Sequence, residues 1–155
     1  MLEILTLMNK IERVSRRIDP DNFVAVPGIW AEVQADGSLA NVTTGTPQPI
    51  NKLVIGNASD NIYESHDVSV GRITTVESYG VRVKVDGEGF DGTIVVGELL
   101  IVSNADGTEG KLVGVTNETE ADGVYEQVAR VEESNETEGW IIYRTVSPTM
   151  LTITT

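Results

Sequence analysis

Apolar residues near the start of the chain recur at spacings of three and four, which is the period of an amphipathic helix. Six side chains form this stripe: Ile4, Leu7, Met8, Ile11, Val14 and Ile18. Three basic residues fall on the opposite side: Lys10, Arg13 and Arg17. Pro20 then ends the helix, because proline cannot donate to a continuing ladder and disfavours helical geometry at the residue before it. The spacing predicts an N-terminal amphipathic α-helical arm with a short linker over residues 1–22.

From Phe23 onward the apolar period changes to two, the period of a half-buried strand. The clearest case is the stretch from Tyr79 to Asp86, in which valines alternate with charged residues. The other predicted strands are 23–26, 29–34, 52–56, 92–103, 111–115, 124–134, 139–147 and 149–155. Predicted turns lie at Asp36-Gly37, at 104–110 and in SNETEG at 134–139. We therefore predict a mainly β body, a small β-barrel or β-sandwich, over residues 23–155.

Two polar stretches interrupt the strand pattern, NVTTGTPQPIN at 41–51 and NASDNIYESHD at 57–67. Loops on a rigid scaffold carry much of the recognition in proteins, so these stretches are candidates for contacts with neighbours. Solvated connections would have the same composition. The sequence leaves both interpretations open.

The charge of the chain is uneven. The net charge is -13, and residues 1–22 contain as many acidic as basic side chains, so the whole excess falls on 23–155. Such a field repels phosphate backbones, which argues against a nucleic-acid partner. No apolar run approaches the roughly 18 residues of a membrane span, and the interrupted N-terminal stretch does not match a signal peptide. We expect no membrane partner and a soluble protein made in the cytoplasm.

Candidate catalytic and metal residues are few. The chain has no cysteine, which excludes disulfides and thiolate ligands. His66 is the single histidine, and no nucleophile motif surrounds it. Asp86, Glu88 and Asp91 could offer carboxylates to Ca²⁺, but their spacing differs from that of an EF-hand loop, and a turn between strands explains them equally. We expect no enzyme, no cofactor and no metal.

The aromatic residues bear on ligand binding. They make up 5% of the chain, fewer than a saccharide-binding or glycosidase cleft usually brings together. Trp30 and Trp140 each lie in a strand-like run beside aliphatic neighbours, which predicts core anchors rather than ligand platforms. We expect no small-molecule substrate.

The second half of the chain carries a family resemblance. The run GELLIVSNADGTEGKLVGV has a Gly-acidic pair at Gly97-Glu98, a DG turn at Asp106-Gly107 and a KLVG return strand at 111–114. A strand at 124–131 and an aliphatic segment at 140–143 follow, separated by a polar turn. This order resembles the small β-barrel domain of head decoration, or cement, proteins of tailed bacteriophages, over about half of the chain. Many such proteins begin with an extended arm, so the predicted helix is a departure from them.

The resemblance implies a virion structural protein on the outer surface of a capsid, commonly a homotrimer at local three-fold positions. It would bridge neighbouring major capsid subunits and stabilise the head. On this hypothesis the arm would supply the partner-binding residues Ile4, Leu7, Met8, Ile11, Lys10, Arg13 and Arg17. The helical period shows only that one face is buried, so packing of the stripe on the chain's own barrel stays open.

Two alternatives remain. One is a different phage module, in a tail or baseplate, and the other is a small-ligand or sugar-binding β barrel. If the arm docks on a neighbour, we expect that removing residues 1–18 leaves the β body folded.

Overall fold

The computed structural model describes residues 1–19, 21–24, 26–45, 50–55, 62–63, 72–115 and 122–154. Over these ranges the chain is mainly β. The strands are β1 (Leu2–Ile4), β2 (Arg13–Arg17), β3 (Trp30–Val33), β4 (Leu39–Asn41), β5 (Asn51–Val54), β6 (Ile62–Tyr63), β7 (Arg72–Val76), β8 (Arg82–Asp86), β9 (Leu99–Val102), β10 (Leu112–Gly114), β11 (Gly123–Asn135) and β12 (Trp140–Ile153). A short 3-10 helix spans Met8–Lys10. Within these ranges no helix has the length and apolar character needed to cross a bilayer.

The strands form two antiparallel sheets. The larger has the order β10-β9-β11-β12-β8-β1-β6, and the smaller has the order β2-β7-β5-β3-β4. Beyond β2 the chain reaches the other edge of the smaller sheet, where Ile18 makes a parallel bridge to Leu39. In the described part of the chain neither sheet closes into a barrel. The predicted mainly β fold is confirmed, in the form of two sheets.

The two sheets share one hydrophobic core. Leu2, Val83 and Tyr143 from the larger sheet belong to the same buried cluster as Trp30 and Leu53 from the smaller sheet. The other face of the smaller sheet has its own cluster, formed by Ile18, Phe23, Ala31, Leu39, Val54 and Ile73. Buried apolar side chains therefore lie on both faces of the smaller sheet.

The predicted N-terminal α-helix is wrong. Residues 1–18 form β1, the 3-10 helix and β2, so this segment contributes one strand to each sheet. Antiparallel pairing fixes β1 against β8, with Leu2 opposite Val85 and Ile4 opposite Val83. The residues of the stripe have different surroundings in the fold: Ile4 and Ile11 pack in the shared core and Ile18 packs on the other face of the smaller sheet, whereas Leu7 is exposed. Pairing with strands distant in sequence overrides the local helical pattern.

Most of the predicted strands of the body are present, but of the predicted strand 92–103 only Leu99–Val102 is a strand. In β8 the valines are buried and Arg82 and Lys84 are half-buried, but Tyr79 is exposed and precedes the strand. No strand forms at Phe23 and Val24, which lie in an irregular segment whose Ala25 is outside the described residues. The last two predicted strands are a single strand, β12, paired with β11 from Trp140 to Ile153 with two register shifts. Most of 57–67, including His66, is also outside the described residues.

The predicted hairpin around 104–110 is confirmed, with β9 and β10 as its arms. Its turn is fixed to the other sheet, because the Trp30 N–H donates to the Gly110 carbonyl at 2.8 Å. Gly110 has a φ of 81°, and a Cβ at this position would lie 2.4 Å from the Trp30 carbonyl oxygen. Glycine is required here both for the left-handed backbone and for the close approach.

Candidate docking surface

The structure separates the residues that the sequence assigned to docking. Ile4 and Ile11 belong to the core, and Ile4 is only 1% exposed. Leu7 is 67% exposed. Lys10, Arg13 and Arg17 are exposed as well, and the side chain of Met8 lies outside the described part of the structure. In this conformation Ile4 and Ile11 pack against the chain's own sheets, whereas the basic residues and one leucine face outward.

The exposed basic residues lie on and just before an edge strand of the smaller sheet. β2 pairs with β7, and its side chains alternate between exposed and half-buried. Arg13 and Arg17 occupy exposed positions, and Lys10 ends the preceding 3-10 helix. We call the set Leu7, Lys10, Arg13 and Arg17 the basic edge. It brings a leucine and three cations onto one continuous segment of an acidic chain.

Arg16, which alternates with these residues, has a different role. Its guanidinium lies 2.8 Å from Oε1 of Glu77, whose Oε2 lies 2.8 Å from Nζ of Lys52. Burial alone would raise the pKa of Glu77. The hydrogen bonds from Lys52 and Arg16, the charge of Lys52 and a bond from Thr75 outweigh that effect, so the pKa lies below its ordinary value. The triplet anchors β2 to β7 and β5.

The other cations whose side chains are described contact their own chain. In residues 23–155, the described basic side chains pair as follows: Lys52 with Glu77, Arg82 with Glu132 and Glu133, Lys84 with the Trp140 ring, Lys111 with the Gly87 carbonyl, Arg130 with the Gly97 carbonyl and Arg144 with Glu132. Among the described side chains, Lys10 and Arg13 are the cations without such a contact. They are therefore the positive charges that an acidic partner could reach without breaking an internal pair.

The far end of the basic edge is joined to the β3–β4 turn. Arg17 Nη2 lies 3.1 Å from Oδ2 of Asp36, with both side chains more than half exposed. Hydrogen bonds from Ser38, and to a smaller extent the charge of Arg17, lower the pKa of Asp36. An open groove of about 420 Å³ lies between β2 and this turn and is lined by 14–17, Asp36 and Gly37. The exposed ion pair of Arg17 and Asp36 can open at little cost in free energy.

A buried glutamate lies at the contact between the two sheets. Glu126 of β11 is 4% exposed, and its Oε1 accepts a 3.1 Å hydrogen bond from the backbone N–H of Asn51 in β5. Burial raises the pKa of Glu126, and the hydrogen bonding of Asn51 and the charge of Lys52 oppose this only in part. The side-chain amide of Asn51 is buried and makes no hydrogen bond within the described residues. The contact between Glu126 and Asn51 is therefore polar, and some of its hydrogen-bonding groups have no partner within the described residues.

The carboxylates considered as Ca²⁺ ligands lie at the end of β8 and just after it. Asp86 Oδ1 accepts a 3.0 Å hydrogen bond from the Glu88 N–H, so the acidic segment after β8 is a turn. The described residues contain no cluster of three side chains placed to hold a metal. Trp30 is buried in the shared core, as predicted. Trp140 is not buried: it lies half-exposed, which corrects the prediction that it anchors the core.

Two features escaped the sequence reasoning. The triplet of Arg16, Lys52 and Glu77 joins three strands distant in sequence, and no local pattern shows such pairing. The exposure of Trp140 had one available signal, because it directly follows the polar turn SNETEG, and the first residue after a turn often lies at the rim of a sheet.

Comparison of the chain with protein-family models, curated proteins and solved structures finds no match in any of the three.

Proposed function

We propose that this chain is a virion structural protein that decorates a tailed-phage capsid and stabilises it by bridging neighbouring major capsid subunits. The observation that carries the proposal is the basic edge. Lys10 and Arg13 make no contact with another described side chain and share one segment with exposed Leu7, whereas the other described cations contact their own chain. Such an edge suits an acidic surface on a partner, with Leu7 adding apolar contact.

The sequence resemblance to cement proteins supports the proposal independently. Its pattern of turns corresponds to two hairpins in the fold, β9–β10 and β11–β12. The N-terminal segment forms β1 and β2 within the two sheets rather than a free arm, so the proposal places docking on the exposed side chains of this segment. These points concern architecture, and the capsid itself enters through the resemblance.

The mechanics of a cement protein fit a rigid β scaffold. A clip that contacts several subunits stabilises the shell because separating any one of them must also break the clip's contacts. Weak individual contacts suffice when several act together, so a basic edge of modest area is adequate on each copy. In this proposal the protein acts as a homotrimer at local three-fold positions, which would present three basic edges to the surrounding subunits.

The test is co-sedimentation with expanded heads that lack the protein, at several salt concentrations. We expect saturable binding at a copy number set by icosahedral symmetry, with affinity falling as salt screens the basic edge. Binding to isolated tails but not to heads would replace the proposal with a tail or baseplate role. Analytical ultracentrifugation of the free and released protein tests the trimer.

Matched variants locate the contact. Arg13→Gln should weaken head binding by about fivefold or more, because multivalent attachment multiplies the loss at each copy. Arg130→Gln removes the same charge from β11 in the other sheet and should leave binding within about twofold. Equal affinities for both variants, with unchanged melting temperatures, would remove the basic edge from the docking mechanism.

A further inference from the structure

An open groove of about 330 Å³ lies where the β11–β12 turn meets the segment after β8. We propose that this groove binds one pyranose ring of a neutral saccharide. The volume is at the lower end of the range for small-molecule sites, roughly 300 to 1,000 Å³, which suits a single sugar unit. The site is separate from the basic edge, and the inference does not depend on the capsid role.

The floor of the groove is apolar and partly aromatic. Phe90, Ile94, Trp140 and Ile141 line it. Ile94 and Ile141 are buried members of the shared core, and Phe90 packs against that core. A pyranose has one face rich in C–H groups, and such a face packs well on aromatic and aliphatic surface. Two of the few aromatic residues in this chain therefore line the same groove, although the low aromatic content of the chain argued against a sugar site.

The rim of the groove offers unpaired polar groups. Thr93, Ser134 and Glu136 line it, are exposed, and have no side-chain hydrogen bond within the described residues. Two hydroxyls that can donate or accept and one carboxylate that accepts are suited to the alternating hydroxyls of a sugar. An apolar floor with a rim of mixed donors and acceptors is therefore complementary to a pyranose and poorly suited to a wholly apolar ligand.

The groove is held in shape before any ligand arrives. The Trp140 indole N–H donates to Glu138 Oε2 at 2.7 Å, and Nζ of Lys84 lies 4.5 Å from the ring centroid. Asn135 Oδ1 accepts from the Glu138 N–H at 2.9 Å, which closes the turn. On the opposite side Phe90 makes a bridge to Leu112. Such preorganisation reduces the ordering cost of binding.

Charge selects among saccharides. Glu136 lines the groove, Glu138 accepts the hydrogen bond from the Trp140 indole, and the chain as a whole carries a net charge of -13. An anionic sugar would meet this field at close range, so neutral hexoses are the expected class.

The test is a titration followed by ¹H–¹⁵N NMR, with D-glucose, D-galactose, D-mannose and N-acetyl-D-glucosamine as probes. The two indole N–H signals serve as site and control, since Trp140 lines the groove and Trp30 is buried in the core. We expect at least one sugar to shift the Trp140 indole signal saturably and leave that of Trp30 in place. If none of the four shifts the Trp140 signal saturably, the proposal is overturned.

Variants separate a specific site from a general effect of sugar on the surface. Ser134→Ala and Glu136→Gln remove rim groups that make no internal contact, and each should weaken binding about threefold or more. Ser147→Ala, an exposed serine on β12 outside the groove, is the matched control and should leave affinity unchanged. If all three variants bound the sugar with equal affinity, the proposal would also be overturned, even if the sugar shifted the Trp140 signal of the wild-type protein.

Discussion

Glu77 and Glu126 are both largely buried, but they lie in opposite electrostatic surroundings. Glu77 in the smaller sheet meets Arg16 and Lys52, each at 2.8 Å. Glu126 at the contact between the sheets accepts one backbone N–H from Asn51. The pKa of Glu77 is lowered and that of Glu126 is raised. Of these two carboxylates, the charged form is favoured at Glu77, which two cations contact, and disfavoured at Glu126, which no cation of the described residues contacts.

The two shifts give opposite pH dependence. A lowered pKa means that the folded state favours the charged form, so the stabilisation by Glu77 is present above its ordinary pKa and is lost as pH falls. A raised pKa means that the folded state favours the protonated form. The contribution of Glu126 is therefore most favourable below its ordinary pKa, near 4.5, and is lost as pH rises through the raised value.

Deleting residues 1–18 should have the largest effect, because it removes β1, β2 and the Arg16 partner of Glu77. Leu2, Ile4, Ile11 and Ile18 are buried, and each is worth roughly 1.5 to 3 kcal/mol. Their sum is comparable with the whole stability of a domain, about 5 to 15 kcal/mol. We expect an unfolded chain, measured by circular dichroism and NMR dispersion. A dispersed NMR spectrum typical of a folded β protein would instead show that residues 1–18 are a separable arm, as the sequence predicted.

Glu77→Gln tests the cation-rich region. The amide keeps the shape of the side chain but leaves Arg16 and Lys52 without a counter-charge. We expect the free energy of unfolding to fall by about 2 kcal/mol at pH 7. This is below the range for fully buried pairs, because both cations are partly exposed. The melting temperature should fall by roughly 5 °C. Exposed Glu12→Gln is the control and should change stability by less than about 0.5 kcal/mol. Equal melting temperatures for the two variants would contradict the assignment.

Glu126→Gln should raise the stability of the fold, whereas Glu77→Gln should lower it. The neutral amide removes a buried charge, can still accept from the Asn51 N–H, and can donate to the Asn51 side-chain oxygen, which has no partner among the described residues. We expect a gain of about 1 kcal/mol at pH 7 that disappears near pH 4, measured by urea unfolding at both values. A loss of stability at pH 7 would show that the charged form of Glu126 is favoured in the fold.

The sequence predicts these regions unequally. The alternation in β8 and the hairpin at β9–β10 follow from local period and turn residues, and both were predictable. The first 18 residues were not, because strands of three and five residues separated by a turn have the same apolar spacing as a helix. Only their pairing with β8 and β7, far along the chain, distinguishes the two.

In the candidate sites, too, the features set by local sequence pattern were predictable and those set by contacts between distant segments were not. Lys10, Arg13 and Arg17 are exposed, as the helical pattern placed them, but Lys10 ends a 3-10 helix and the two arginines lie on a strand, and their role in docking stays a prediction. The burial of Ile4 and Ile11 depends on the sheet contacts and was left open. The groove at Trp140 needs the turn after β11 to meet the segment around Phe90, two stretches about 45 residues apart, and composition alone argued against it.

Arg17→Ala should have the smallest effect and separates the two kinds of ion pair on one strand. Arg17 follows Arg16 directly, but its partner Asp36 is 62% exposed, whereas Glu77 is 11% exposed. Solvent screens the exposed pair, and Asp36 retains its hydrogen bonds from Ser38. We expect a change below about 0.5 kcal/mol in urea unfolding at pH 7. Arg16→Ala, which takes one cation from Glu77, should cost clearly more, and equal losses would show that burial of the partner does not decide the strength of these pairs.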